Sequence, residues 1–282
     1  MQTRDNPKPY REWFIENVKD EMSLLMKWQI WSSILLAAFM QFMHNAAHNY
    51  VYYLASEHRV YGGADGKLVD LGFMALLNAA DLALVPNFAL YCLAAASIAW
   101  ATSIFYTRKI ITNPDVHAMQ ILWRAGIVTC ITITLRCLSF LVTILPSPAG
   151  HCSEDRFRPP SSTGEIFGRF DTGGGCSDLI FSSHMMYGLI AALVIMHYTH
   201  VGMKGYNPSR KEIFLKFSFV VLIWGLALFE GIAIVRQQSH YSIDVFTAWY
   251  AVPMTWVTFH YFAPTDPVPH RPTKRTEENI AV

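Results

Sequence analysis

Six long apolar stretches, separated by short polar ones, run along this chain of 282 residues. They cover 23–43, 83–106, 118–145, 179–201, 213–235 and 242–262, each close to the about 20 residues that a helix needs to cross a bilayer's hydrocarbon. The pattern predicts an all-α protein, a six-transmembrane-helix bundle over 23–262. A charged segment over 1–22 precedes it, and a polar, Pro-rich tail over 263–282 is expected to be disordered. Residues 71–82 are also apolar but carry Asp81, and read as a half-buried segment leading into the second span. Of the 22 Lys and Arg, 13 fall on the side of the two termini, counting Lys27 at the edge of the first stretch among them, six on the opposite side and three deeper within spans. Positive charge concentrates in cytoplasmic loops, so both termini are expected in the cytosol and the 146–178 segment in the lumen or outside the cell.

Composition narrows the function classes. Hydrophobic residues make up 52% and charged residues only 15%, against about 25% charged in ordinary globular proteins. A chain this apolar does not stay unfolded. A net charge of +1 offers no basic stripe for phosphates, so no nucleic acid partner is expected; the partners are membrane lipids. A homo-oligomer is compatible with the sequence and not required by it. Of the five cysteines, Cys92, Cys130 and Cys137 lie within spans, where a thiol is a small hydrophobe. Cys152 and Cys176 lie in the lumenal segment, where an oxidising compartment permits a bridge between them; two unpaired thiols are the alternative.

Polar residues in lipid are the informative minority, because an ionisable group at the bilayer centre costs on the order of 3 kcal/mol or more. His240 and Asp244 open the sixth span four residues apart, which stacks them on one helical face. A carboxylate beside one imidazole nitrogen fixes the tautomer and makes the other nitrogen a better base or nucleophile. His184 opens the fourth span on the same side of the membrane. Two helices therefore bring His184, His240 and Asp244 to one depth, the constellation of phosphoryl transfer through a phosphohistidine. A non-enzymatic lipid carrier leaves that coincidence without an explanation. In the third span Thr132, Arg136, Ser139 and Thr143 share a face, with Arg136 set to hold an anionic group or to pair inside the bundle. Arg124 reads as a snorkelling residue near the cytoplasmic end. Asp178 either orients a histidine or caps a helix. Glu230 is a further carboxylate of the site or the partner of Arg136 or Arg236, and Arg236 contacts donor phosphate or anchors at the interface.

No metal or other cofactor is required by this arrangement. His44 and His48, and His197 and His200, have the spacing of histidine boxes but belong to different spans at opposite membrane faces, so they cannot share a di-iron centre. His44 and His48 are read as interface or headgroup-contact residues.

At these motifs the sequence resembles the sphingomyelin synthase-like family, the sphingolipid headgroup transferases of the lipid phosphate phosphatase superfamily. The resemblance rests on Cys176-Ser-Asp178-Leu-Ile-Phe-Ser182-Ser183-His184 and on His240-Tyr241-Ser242-Ile243-Asp244-Val245. Weaker matches are Arg136 with Thr143, Leu145-Pro146-Ser147-Pro148, His151-Cys152 and Asp70-Leu71-Gly72-Phe73. It implies a lipid phosphate phosphatase-like core with His240 as nucleophile, Asp244 as its orienter and His184 as acid and base. It also implies an active site facing the Golgi lumen or cell exterior, a glycerophospholipid donor, ceramide as acceptor and diacylglycerol as product. Ser177 and Ser183 stand where the family usually has glycine, and the Ser-Ser-His form and Ala248-Trp249-Tyr250 look more like plant inositol phosphorylceramide synthases. Phosphatidylinositol is therefore the favoured donor. The alternatives are transfer of choline or ethanolamine phosphate by the same mechanism, and a lipid phosphatase or phospholipase C-like hydrolase with water as acceptor.

Overall fold

The computed structural model describes residues 10–60, 62, 67–76, 85–106, 117–170, 176–201 and 209–263, and among these there is no strand. The helices are α1 (Tyr10–Leu25), α2 (Trp28–Glu57), α3 (Leu71–Ala75), α4 (Val85–Tyr106), α5 (Ala118–Val142), α6 (Thr163–Gly168), α7 (Ser183–Val201), α8 (Arg210–Arg236) and α9 (Ser242–Phe262). Each of the six expected spans coincides with one long helix: α2, α4, α5, α7, α8 and α9. By length and apolar composition α5 and α8 each suffice to cross a membrane, and the bent α1–α2 pair makes a third such unit. The bend is 62° and falls at Met26-Lys27, where Lys27 is extended (φ −79°, ψ 136°). The first apolar stretch therefore enters its helix five residues later than its composition predicts and continues to Glu57.

The bundle is arranged for an apolar solvent. Large side chains such as Leu35, Phe39, Phe214, Phe217, Phe246 and Met254 point outward, where lipid rather than water is the natural neighbour. The interior instead collects His44, Asn45, His48, Arg136, Glu230 and Asp244. Helix α7 is central and packs on α4, α8 and α9, while α2 lies along α5. Its core contacts include Met185, Leu189 and Ile195 of α7 with Leu93, Ile223, Ala248 and Val252.

Helix ends show how the chain closes this bundle. The first N–H groups of a helix have no partner within it. For α5 they are met by another helix: the Glu21 carboxylate accepts from Ala118 N–H (2.8 Å) and Met119 N–H (3.0 Å) and sits 3.2 Å from His117 Nδ1. Helix α8 starts on a capping box, Ser209 with Glu212.

The segment between α5 and α7 is folded onto the bundle. The structure joins Cys152 and Cys176 in a disulfide across 24 positions, and closing a loop of that length contributes about 3 kcal/mol. Asn49 donates to Ile166 O (3.0 Å) and Arg169 O (2.8 Å), and Asn45 to Arg169 O (2.8 Å), which fastens α6 to α2.

Several expectations change here. Arg124 does not snorkel: it is 4% exposed and donates to Ala263 O at 2.8 Å. The expected polar face of α5 is divided, with Thr132 and Arg136 buried but Thr143 exposed, because the helix ends at Val142 and Thr143 is already extended. Of the 71–82 stretch, the described part forms α3, which buries no residue; Asp81 and the 264–282 tail lie outside the described residues.

Candidate active site

The N-terminus of α9 sets the geometry. Asp244 lies in its first turn, and its Oδ2 accepts the Tyr241 N–H at 3.0 Å, satisfying a donor that the helix itself cannot. The same oxygen sits 3.3 Å from His240 Nδ1. His240 is 6% exposed and Asp244 fully buried. With Nδ1 turned to the carboxylate, Nε2 is the ring nitrogen left for chemistry.

The start of α7 is tied to the same place, since Ser182 N–H donates to the Asp244 carbonyl at 3.3 Å. His184 follows two residues on, in the first turn of α7. Its Nε2 lies 2.9 Å from Asn87 Oδ1 on α4. As a donor to that oxygen, Nε2 leaves Nδ1 as the atom able to take and return a proton. The structure thus brings His184, His240 and Asp244 together, on the ends of two helices.

Arg136 is nearby but committed. It is 1% exposed, and its guanidinium donates to Asp178 O (2.7 Å), Phe181 O (2.6 Å) and Asp178 Oδ2 (2.6 Å). It clamps the 178–181 turn that delivers His184, so in this structure it acts on the site through backbone position rather than as an open anion contact. Asp178 Oδ1 is also 3.5 Å from His48 Nε2 and accepts from Tyr52 Oη at 3.4 Å, and Tyr52 in turn accepts the Cys176 N–H. Burial pushes the Asp178 carboxyl up, but the positive charges of His48 and Arg136 outweigh it and hold it below the usual carboxylate value. Asp178 therefore orients this network rather than capping α7.

A second carboxylate fixes α9 from outside. Asp70 accepts from Gly72 N–H (2.8 Å) and Phe73 N–H (3.1 Å) at the start of α3, and from Ser242 N–H (2.8 Å) and Ser242 Oγ (2.6 Å) at the start of α9. Burial raises its pKa, yet those four bonds prevail and keep it lowered. Tyr241 completes the clasp: its hydroxyl donates to Pro146 O (2.7 Å) and accepts the Leu68 N–H (3.0 Å), so it is a structural strut.

The remaining candidates are distributed. Glu230 is fully buried on α8 against Gly188 of α7 and does not pair with Arg136. Arg236 is exposed at the end of α8. His44 and His48 are not interface residues, being 7% and 2% exposed, with His44 against Phe140 and His48 against Tyr52. His48, Tyr52 and Asn87 are the contributors that motif reading missed. Their signal was the cost of polar groups in lipid: Asn87 is the only amide in the 83–106 stretch, and His44, His48 and Tyr52 recur every four residues.

A groove of about 800 Å³ lies between α3, α8 and α9, lined by Leu71, Leu228, Val235, Phe246 and Trp249. It runs along the side of α9 that carries Ser242 and Phe246, and at 100° per residue Asp244 projects from the other side, so the groove is not the reaction chamber. The described His/Cys cluster of metal-ligand spacing, His151 with Cys152 and Cys176, has its two sulfurs bonded to each other and offers no thiolate.

Residues 175–261 match the family model described as PAP2 superfamily C-terminal. Over 261 residues the chain is 28% identical to a phosphatidylinositol:ceramide inositolphosphotransferase of Oryza sativa subsp. indica, covering 88% of this chain and 70% of the relative. It is 28% identical over 260 residues to phosphatidylinositol:ceramide inositolphosphotransferase 3 of Arabidopsis thaliana, covering 88% and 79%. A shorter match, 28% over 148 residues, joins 48% of the chain to 32% of phosphatidylcholine:ceramide cholinephosphotransferase 1 of Gallus gallus. The segment that holds His184, His240 and Asp244 is thus the part that matches the PAP2 superfamily C-terminal model, in a chain similar over most of its length to plant phosphatidylinositol:ceramide inositolphosphotransferases.

Proposed function

We propose that this chain is a sphingolipid headgroup transferase that moves phosphoinositol from phosphatidylinositol to ceramide and releases diacylglycerol. The observation that carries the reading is the buried His240–Asp244 pair, tied through Ser182 to the turn that presents His184. In the first half-reaction His240 Nε2 attacks the donor phosphorus, the bond from phosphorus to the glycerol oxygen breaks, and His184 gives that oxygen a proton. Asp244 stabilises the positive charge that develops on His240. In the second half the ceramide primary hydroxyl gives its proton to His184 and attacks phosphorus, and the phosphorus–nitrogen bond breaks. Arg136 and Asp178 hold His184 at the required position, while Arg236 faces the headgroup side.

The donor assignment is supported by the breadth of the matches, which span 88% of the chain for the inositolphosphotransferases and 48% for the cholinephosphotransferase. In this reading α2, α4, α5, α7, α8 and α9 all cross the membrane, with both termini cytosolic and the site at the Golgi lumenal face. The disulfide at that face suits an oxidising compartment.

The test is direct. Purified protein in mixed micelles receives fluorescent ceramide and, separately, phosphatidylinositol, phosphatidylcholine or phosphatidylethanolamine, and the lipid products are resolved. Inositol phosphorylceramide is the expected product. A choline or ethanolamine product replaces the donor, and diacylglycerol without any sphingolipid product replaces the transferase with a hydrolase.

A further inference from the structure

One buried group is left unused by that mechanism. Glu230 is 0% exposed, and neither carboxyl oxygen has a hydrogen-bond partner among the described residues. An ionisable side chain in such a setting is expensive and needs a reason. Its surroundings close around it: a Cβ placed on Gly188 would lie 2.5 Å from Glu230 Oε2 and 3.2 Å from Leu93, so a side chain at 188 would press into the space the carboxyl occupies. Gly188 is four residues beyond His184, about 6 Å deeper along α7, and His184 is held by Asn87 of α4. Three helices therefore converge to set an unpartnered carboxyl group just below the proton-transferring imidazole, on the side of the lipid tails.

We propose that Glu230 is the acceptor-recognition residue, its carboxyl accepting a hydrogen bond from the amide N–H of ceramide and donating one to the secondary hydroxyl. The inference rests on the transferase reading above. Two alcohols compete for the phosphorylated His240: the departing diacylglycerol and the incoming ceramide. Beyond its free hydroxyl, diacylglycerol carries two esters, which only accept hydrogen bonds. Ceramide carries, at the next two carbons, an amide N–H and a hydroxyl, which donate. When its primary hydroxyl meets His184, those donors lie a few ångströms further toward the tails, the direction in which Glu230 is displaced. Buried without a partner, the carboxyl is held as the neutral acid, one O–H and one carbonyl oxygen: ceramide meets both, whereas the esters of diacylglycerol accept from the O–H and leave the carbonyl oxygen without a donor, and sites built to bond a substrate donor reject analogues lacking it most strongly. Glu230 thus biases the second half-reaction forward.

The experiment measures kcat/KM in the full-length protein for ceramide, for 3-deoxyceramide and for N-methylceramide, with Glu230→Leu and Glu230→Gln beside wild type. Wild type should favour ceramide over each analogue by about 10- to 100-fold. Glu230→Leu should collapse that preference to nearly one, and Glu230→Gln, which keeps a carbonyl oxygen, should retain part of it. An unchanged preference in Glu230→Leu, or an equal loss on all three acceptors, overturns the proposal. If Glu230→Leu does not fold, an absent preference in wild type or an unaltered one in Glu230→Gln does the same. Wild type that makes no phosphosphingolipid from any donor defeats the transferase reading itself, whereas transfer with selectivity independent of Glu230 defeats only this inference.

Discussion

Replacing His240 with alanine should abolish headgroup transfer while leaving the bundle folded. The imidazole is the only group at the site that the geometry equips as nucleophile, with Nδ1 against Asp244 and Nε2 free. Its loss removes the covalent route altogether, a decrease in kcat/KM of at least about 10³-fold, or roughly 4 kcal/mol of transition-state stabilisation. Stability should change little, because among the described residues the ring's hydrogen bond goes to Asp244 alone, and the Asp244 carboxylate keeps the Tyr241 N–H. Asp244→Asn should behave differently. An amide oxygen can still cap the helix, so the fold persists, yet the imidazolium loses its counter-charge and transfer falls by a smaller but large factor. Product formation from fluorescent ceramide and the unfolding midpoint, measured on the same preparations, check both variants. A well-folded His240→Ala protein that still transfers headgroup would remove the phosphohistidine mechanism.

How much of this was legible beforehand follows from the solvent. In lipid, polarity is costly enough that position alone flags chemistry, and His184, His240 and Asp244 stood out because each opens an apolar stretch. Periodicity likewise placed six long helices to within a few residues, missing mainly where Lys27 breaks the chain and where α2 extends beyond its most apolar part. What stayed hidden was the pairing between helices. Nothing in the spacing of Arg136 says whether its guanidinium meets a substrate phosphate or the 178–181 backbone, because that depends on how α5 faces α7. His44 and His48 read as interface or headgroup-contact residues from their location near a span end, yet the α2–α5 packing turns both inward, His44 against Phe140 and His48 to 3.5 Å from Asp178. Asp70 gave no signal beyond its motif, since its role, capping α3 and α9 together, joins positions 172 residues apart. Local sequence reports which groups need an explanation, and tertiary packing supplies their partners.

That distinction sharpens the expectation for Arg136, whose loss should be felt first in stability. Arg136→Met removes three hydrogen bonds and strands the buried Asp178 carboxylate, leaving it only His48 and Tyr52. Breaking one side of a buried ion pair costs about 3–5 kcal/mol, most of it from the charge left behind. Arg136→Lys should recover little, because one ammonium cannot reach Asp178 O, Phe181 O and Asp178 Oδ2 in the fork that a guanidinium spans. Removing both charges in Arg136→Met/Asp178→Leu should restore part of the stability, since no uncompensated carboxylate remains. Activity should not return with it, as the 178–181 turn that presents His184 would still have lost its clamp. Unfolding midpoints in detergent give the double-mutant cycle and the transfer assay gives the second readout. If the two single substitutions instead add without coupling, the pair contributes no joint stabilisation. Recovery of transfer in the double variant would mean that His184 finds its position without Arg136, so the two measurements separate what holds the bundle together from what aims its chemistry.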